Sequence, residues 1–253
     1  MRRYLHRWFL PLWLPAGFFL VWQAGATYGL LDPLFFPPPT VLLATIIEMG
    51  RAGDLGEHVS ATLSRAVLGF LLGSIAGIAT GAAMGASQTI RRSLEPVISA
   101  IYTLPKMTLL PMLMLLVGVG DTARHIVIAA TCFILVTIHA LDGVRSVRRH
   151  YVEMAYNCGA SPATVFRRVY LPASAPQIFT GVRLAAGRAL IVTLSVEMIS
   201  AREGLGALVW SSWQTFATER LYVAVVIASL LGALIHRSLR VLEGKLLPWR
   251  EKS

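Results

Sequence analysis

Long apolar stretches, separated by short polar segments, constrain this chain more than any other feature of its sequence. A transmembrane helix needs about 20 predominantly apolar residues, and six stretches are close to that length or exceed it. They cover residues 8–28, 62–86, 95–117, 123–141, 176–200 and 221–239. Only 14% of the 253 residues are charged, whereas soluble domains have about 25%. The sequence therefore predicts an all-α polytopic membrane protein with six transmembrane helices.

The first apolar stretch allows two interpretations. Residues 24–26, Ala-Gly-Ala, resemble the cleavage site of a signal peptide. The apolar part of a signal peptide, however, is only about 7–15 residues long, and this stretch is longer, with tryptophans near both ends. We therefore predict that residues 1–28 are retained as a first helix.

The predicted organisation has four parts, and turns separate the elements within them. The parts are a tail with the first helix (1–36), an amphipathic segment with a short interfacial helix (37–61), a membrane core that includes a basic segment at 142–174 (62–240), and a basic tail (241–253). Turns or connectors are predicted at 50–56, 87–92, 118–121 and 202–218.

The basic residues predict the orientation of the chain. A net charge of +10 is compatible with a nucleic-acid-binding protein, but the positive residues lie between apolar stretches rather than on one face, so we predict no nucleic-acid partner. Lys and Arg are enriched in cytoplasmic segments of membrane proteins. With six spans, 15 of the 23 Lys and Arg residues fall on one side together with both termini. Both termini are therefore predicted to be cytoplasmic.

Five glycines in the second stretch recur at every fourth position: Gly69, Gly73, Gly77, Gly81 and Gly85. Residues with this spacing lie on one face of a helix. Small residues let two membrane helices approach closely. The stripe therefore predicts close packing against another helix, either within the subunit or across a homodimer.

Charged and polar residues within the apolar stretches are candidates for a translocation path: Lys106, His139, Arg183, Arg188 and Glu197. Lys106 lies between Pro105 and Pro111, which interrupt a helix. A charge at the centre of the bilayer costs about 2.5–3.5 kcal/mol, so these groups need water or partners. Pairing with another helix is the alternative to a place on the path.

The basic segment 142–174 predicts two short helices, one before Gly159 and one from Pro162 to Tyr170. Gly159 is suited to a helix end. Ser161 is a candidate N-cap, with Pro162 at the first helical position.

Several chemistries have no sequence support. No Gly-x4-Gly-Lys-Ser/Thr phosphate loop occurs. The six histidines have no metal-like spacing, and Cys132 and Cys158 suggest neither a disulfide framework nor a metal site. We therefore predict neither an enzyme nor a cofactor in this chain.

The basic segment resembles the EAA loop of ABC importer permeases. Seven residues carry the resemblance at matching spacing: Glu153, Ala155, Gly159, Ala160, Val169, Leu171 and Pro172. Met154 departs from the alanine that is usual in the family. Further resemblance to permeases for sulfonates, taurine, nitrate and pyrimidine precursors extends over residues 37–240, although His139-Ala140 replaces the usual Asn-Thr.

The resemblance implies a type I importer permease in a bacterial inner membrane. Two copies of the permease, as a homodimer, would form the pore. Two separate ATPase subunits, which bind ATP and Mg, would dock on the EAA-like loop, and a periplasmic or lipid-anchored binding protein would deliver a small solute. An aliphatic sulfonate, taurine or a nitrate-like anion is the expected substrate. A transporter or channel driven by an ion gradient and a membrane scaffold remain as alternatives.

Overall fold

The computed structural model describes the backbone of residues 2–249 and the side chains of residues 13–249. Every regular element within these residues is helical, which confirms the all-α prediction. The helices are α1 (Arg2–Thr27), α2 (Pro39–Ala52), α3 (Asp54–Ala86), α4 (Gln88–Thr103), α5 (Leu110–Val117), α6 (Asp121–Arg145), α7 (Arg149–Asn157), α8 (Pro162–Val165), α9 (Leu171–Ser200), α10 (Leu205–Gln214) and α11 (Thr218–Leu246). A 3-10 turn, Lys106–Leu109, precedes α5, and a π-helical turn, Phe166–Tyr170, joins α8 to α9.

Three to five candidate membrane spans occur in the described residues. By length and composition, α3, α6 and α11 can each cross a membrane. Two bent pairs can add one span each: α4 with Lys106–Val117, bent by 87°, and Pro162–Ser200 with α10, bent by 45°. The first predicted stretch coincides with α1, which is not among these candidates and whose side chains at residues 2–12 lie outside the description. Retention of residues 1–28 stays a prediction.

The turn predicted at 50–56 is present but much shorter than predicted. Only Gly53 interrupts the helix there, with a left-handed φ of 84° that ends α2. The next helix starts at once, because Asp54 and Glu57 place negative charge in its first turn. Consequently α3 begins eight residues before the predicted boundary at residue 62.

The turn predicted at 87–92 is likewise reduced to one residue, Ser87, because α4 already starts at Gln88. The Ser87 side chain accepts a hydrogen bond from Ile90 N at 3.4 Å and caps the new helix. Further along, the break that the two prolines predict is present. The helix stops at Thr103, Pro105 precedes the 3-10 turn, and Pro111 lies in the first turn of α5.

A continuous helix replaces the predicted end of the basic segment at residue 174. It runs from Pro162 to Ser200 without a loop. A proline ring clashes with the carbonyl four residues earlier in an α-helix. The π-helical turn just before Pro172 provides the extra residue that relieves this clash. The second half of the basic segment and the predicted fifth span are therefore one continuous helix.

Two further boundaries differ from the predictions. The connector predicted at 202–218 contains a helix, α10, whose inner face is buried. The last helix, α11, continues to Leu246 rather than ending at 239, so most of the predicted basic tail that is described is helical. Residues 250–253 of that tail lie outside the described residues.

Helix α6 lies at the centre of the core. One face packs on α9 through Ile128, Cys132 and Ala185, among others. Another face packs on α3 and α4 through Met84, Ile98 and Ile134. A separate cluster joins α2, α10 and α11.

Candidate functional site

The glycine stripe of α3 lies against α6 of the same chain, so the contact is within the subunit rather than across a dimer. A Cβ added at Gly77 would lie 2.7 Å from the carbonyl oxygen of Phe133 and 3.0 Å from Val136 Cβ. At Gly69 and Gly85 an added Cβ would lie 2.5 Å from Ile128 Cγ2 and Val144 Cβ, respectively. At Gly73 and Gly81 it would meet the carbonyl oxygens of Ala129 and Thr137.

The EAA-like segment has the predicted short helix before Gly159 and a tight turn after it, but the predicted second short helix is the start of the long helix from Pro162 to Ser200. Gly159 adopts a left-handed φ of 79°. Its N–H donates to Tyr156 O at 2.9 Å, and the next N–H, of Ala160, donates to Ala155 O at 3.1 Å. This pair of bonds is a Schellman motif, which satisfies carbonyls at a helix end. Ser161 then caps α8 by accepting from Thr164 N at 3.3 Å. The spacing of Ala155, Gly159 and Ala160 therefore has a local structural cause.

The surface of α7 is largely uncovered. None of its residues is buried, and Tyr151, Met154 and Tyr156 expose about half of their surface. Glu153 is exposed and accepts a hydrogen bond from Arg149 Nε at 2.8 Å. In the second half of the segment Val169 is half-buried, while Leu171 and Pro172 are exposed. The segment thus presents an aromatic and apolar surface that the described chain does not cover.

Four charged side chains from three helices meet near the start of α6, and we call this group the ion cluster. Arg65 of α3 donates from Nε to Asp121 Oδ1 at 2.7 Å and from Nη1 to Glu197 Oε1 at 2.9 Å. Arg124 Nη1 donates to the same Asp121 oxygen at 2.5 Å. Glu197 is fully buried. Two guanidinium groups balance two carboxylates, so the ion cluster joins α3, α6 and α9 without a net charge.

The ion cluster also fixes the start of α10. Gly206 N donates to Glu197 Oε2 at 3.0 Å, and Leu205 N donates to Thr62 Oγ1 at 2.7 Å. Thr62 in turn donates to Glu197 Oε2 at 2.8 Å. The first N–H groups of a helix have no partners within it, and a carboxylate there is favoured by the helix dipole. Residues of α3 and α9 therefore hold α10 in place.

Two of the five candidate path residues are held in ion pairs between helices. Glu197 belongs to the ion cluster, where it is fully buried and paired with Arg65, and its place on a translocation path stays a prediction. Arg183 of α9 donates from Nη1 to Glu243 Oε2 of α11 at 3.0 Å. Pairing with another helix is the alternative that the sequence allowed.

The other three candidates lie apart from one another. Lys106 is half-buried at the break after α4, and its Nζ donates to Tyr102 O at 3.1 Å. His139 Nδ1 lies 3.4 Å from Gln177 Nε2 where α6 meets α9. Arg188 is exposed on α9, and no carboxylate of the described residues lies within ion-pair distance of it. The five residues do not form one site.

Sequence reasoning missed most of the ion cluster. Arg65 and Glu197 are 132 residues apart in the chain, and Thr62 is 135 residues from Glu197. A charge inside an apolar stretch signals that a partner is needed, but it does not say which residue is the partner. Asp121 falls in the turn predicted at 118–121, and Arg124 falls at the start of the fourth predicted stretch, so neither was expected to pair with Arg65.

Known proteins with similar sequences are permeases. The chain is 33% identical over 234 residues to the taurine transport system permease protein TauC of Escherichia coli (strain K12), covering 90% of this chain and 85% of TauC. It is 34% identical over 246 residues to the aliphatic sulfonates transport permease protein SsuC of the same organism, and the match covers 96% of this chain and 94% of SsuC. It is also 34% identical over 253 residues to the riboflavin transport system permease protein RibX of Chloroflexus aurantiacus, and the match covers 98% of this chain and 94% of RibX.

The fold is similar to that of a solved importer. The match to an inward-facing structure of the MetNI methionine ABC transporter covers 72% of this chain and 90% of the chain in that structure, with a TM-score of 0.65 and 16% sequence identity. The model of the family described as "Binding-protein-dependent transport system inner membrane component" matches residues 69–247, which include the glycine stripe, the EAA-like segment and the ion-cluster residues Asp121, Arg124 and Glu197. The chain therefore belongs to this family of inner membrane components, the permease subunits of ABC importers.

Proposed function

We propose that this permease is driven by a separate ATPase that docks on α7 and imports a small anionic solute. The observation that carries the coupling is the exposed α7, which ends in a Schellman turn and leads directly into the helix from Pro162 to Ser200. Family membership supports ATPase and binding-protein partners. ATP and Mg would be bound by the ATPase.

The continuity of that helix supports a mechanical role. A push on α7 passes through the turn at Gly159 and Ser161 into a single helix that reaches Glu197 of the ion cluster. A rigid-body displacement needs such an element, because a flexible loop would absorb the motion. Two copies of the chain, with the termini in the cytoplasm, would place both α7 helices on the side of the ATPases.

Replacing Gly159 by valine should abolish the transport-coupled stimulation of ATP hydrolysis while membrane insertion stays normal. A β-branched residue is strained at positive φ, so the turn after α7 would open. The measurement is ATP hydrolysis by the reconstituted importer with and without loaded binding protein, together with the amount of permease in the membrane.

Gly159→Asn is the matched control, because asparagine tolerates the left-handed conformation. It should retain most of the stimulation. If Gly159→Val is also stimulated normally and supports uptake, α7 is not the coupling element.

For the substrate, we infer a small anion such as an aliphatic sulfonate. The relatives named for taurine and aliphatic sulfonates favour this class, whereas RibX is named for riboflavin. Among the cations within the spans, Arg65 and Arg183 are paired with carboxylates. Arg188 and Lys106 have no carboxylate partner among the described residues, so they can give a path a positive potential.

Replacing Lys106 or Arg188 by methionine should lower uptake of sulfonates about tenfold or more, since a focused positive potential raises anion capture by that order. The measurement is uptake from a panel of anionic and neutral solutes, supplied with the cognate binding protein. Arg220→Met, which removes an exposed arginine near Asp54, should leave uptake unchanged. Unchanged anion uptake in both variants, or a neutral ligand on the binding protein, contradicts the anion proposal and leaves the coupling proposal intact.

A further inference from the structure

A groove between α9 and α11 opens on the surface of the membrane-spanning part, and we call it the α9–α11 groove. Its volume is about 500 Å³, within the range of about 300–1,000 Å³ that is usual for ligand pockets. Small residues create it, among them Ala186 and Gly187 on α9 and Ala228 and Gly232 on α11. A Cβ on Gly187 would have no heavy atom within 4 Å. The described chain therefore leaves this space open.

The shape and lining of the groove suit a hydrocarbon chain. On α9 the lining runs from Arg183 to Met198, roughly 22 Å at about 1.5 Å per residue. That length exceeds half of the hydrocarbon core of about 30 Å. Between these ends the lining of α9 is formed by small and aliphatic residues, including Leu190 and Leu194. One acyl chain from one leaflet can lie along it.

One end of the groove is basic. Arg183 and His236 belong to its lining, and Arg240 Nη2 lies 3.1 Å from His236 Nε2. Glu243 offsets the charge of Arg183 at 3.0 Å. Arg240 has no carboxylate of the described residues within ion-pair distance. A positive charge therefore remains at this end.

The basic end lies at the level of lipid headgroups. A span of about 20 residues crosses the hydrocarbon core. Twenty residues counted back from Ser200, the end of α9, reach the region of Arg183. Twenty residues counted forward from Thr218, the start of α11, reach the region of Arg240. Both regions lie at the end of the molecule that carries α7. The apolar part of the groove then lies inside the hydrocarbon region.

We propose that the α9–α11 groove binds an anionic phospholipid, with one acyl chain along the groove and the phosphate at His236 and Arg240. Basic pockets between membrane helices recognise anionic headgroups, and here such a pocket is continuous with an apolar channel. A zwitterionic lipid fills the same channel but gains less from the basic end. This site is independent of the coupling and substrate proposals.

The test is native mass spectrometry of the purified, assembled permease in detergent, titrated with an equimolar mixture of phosphatidylglycerol and phosphatidylcholine of identical acyl chains. The wild-type permease should retain phosphatidylglycerol at least fivefold more than phosphatidylcholine. Arg240→Gln should lower this preference about fivefold, because that is the effect of one cation at the membrane surface. Gly187→Leu should reduce retention of both lipids, because Gly187 lines the groove and a leucine side chain there would occupy space that an acyl chain needs.

Arg91→Gln is the control for charge, since Arg91 is paired with Glu95 on α4, away from the groove. It should behave as wild type. If wild type retains no lipid preferentially, as when a second copy covers the groove, the proposal is wrong. It is equally wrong if Arg240→Gln keeps the preference, or if Gly187→Leu retains as much of both lipids as wild type.

Discussion

Replacing Gly77 by leucine should leave no assembled permease, because the side chain would point at the backbone of α6. Even a Cβ at this position would lie 2.7 Å from Phe133 O, and a backbone carbonyl held in a helix cannot move aside as a side-chain end can. Overpacking by a few methylenes costs about 1–3 kcal/mol or more in a core. Here the helices themselves must separate, which also opens the contacts at Gly73 and Gly81. The measurement is the yield of monodisperse complex extracted from the membrane by detergent.

A pair of alanine variants separates this contact from the general effect of removing a glycine. Gly77→Ala should lower the free energy of unfolding by about 1–3 kcal/mol. Gly244→Ala, in α11 with nothing within 4 Å of an added Cβ, should raise it by about 0.5–1 kcal/mol, since alanine favours helix more than glycine does. A normal, stable complex with Gly77→Leu would show that α3 and α6 do not pack at this distance.

Replacing Arg65 by methionine should destabilise the permease by about 3–5 kcal/mol, the usual cost of leaving a buried charge without its partner. Glu197 is fully buried, and methionine cannot supply the hydrogen bonds that Arg65 donates to it and to Asp121. A typical protein has only about 5–15 kcal/mol of stability, so the loss should appear as a large fall in the melting temperature of the purified complex. The end of α9 and the start of α10 should loosen first.

A second substitution tests whether the buried carboxylate of Glu197 causes the loss of stability in Arg65→Met. Arg65→Met combined with Glu197→Gln should be more stable than Arg65→Met alone, because the glutamine is neutral and still accepts hydrogen bonds. Arg91→Met, which breaks the partly exposed pair with Glu95 at 3.8 Å, should cost less than about 1 kcal/mol. Equal melting temperatures for Arg65→Met and Arg91→Met would contradict a stabilising role for the ion cluster.

The sequence determined the features that have a local cause. Apolar length predicted helices that cross a membrane, since backbone groups in lipid must be paired within a helix. The end of α7 followed from Gly159, Ser161 and Pro162, because a left-handed residue, an N-cap and an N1 proline each act within one helical turn. The break after α4 followed in the same way from Pro105. The glycine repeat predicted a close helix contact, although not the partner helix.

The tertiary structure decided which distant groups meet. Glu197 looked like a path residue, but Arg65, Thr62 and the N-terminus of α10 surround it. Its choice of partner depends on how α3, α6 and α9 pack, and that packing depends on the fit of whole helix surfaces. The helix from Pro162 to Ser200 is a second example, since it continues through residue 174, where the basic segment was predicted to end. Local propensity acts over a few residues, whereas a buried charge is satisfied by whatever residue the fold brings within about 3 Å of it.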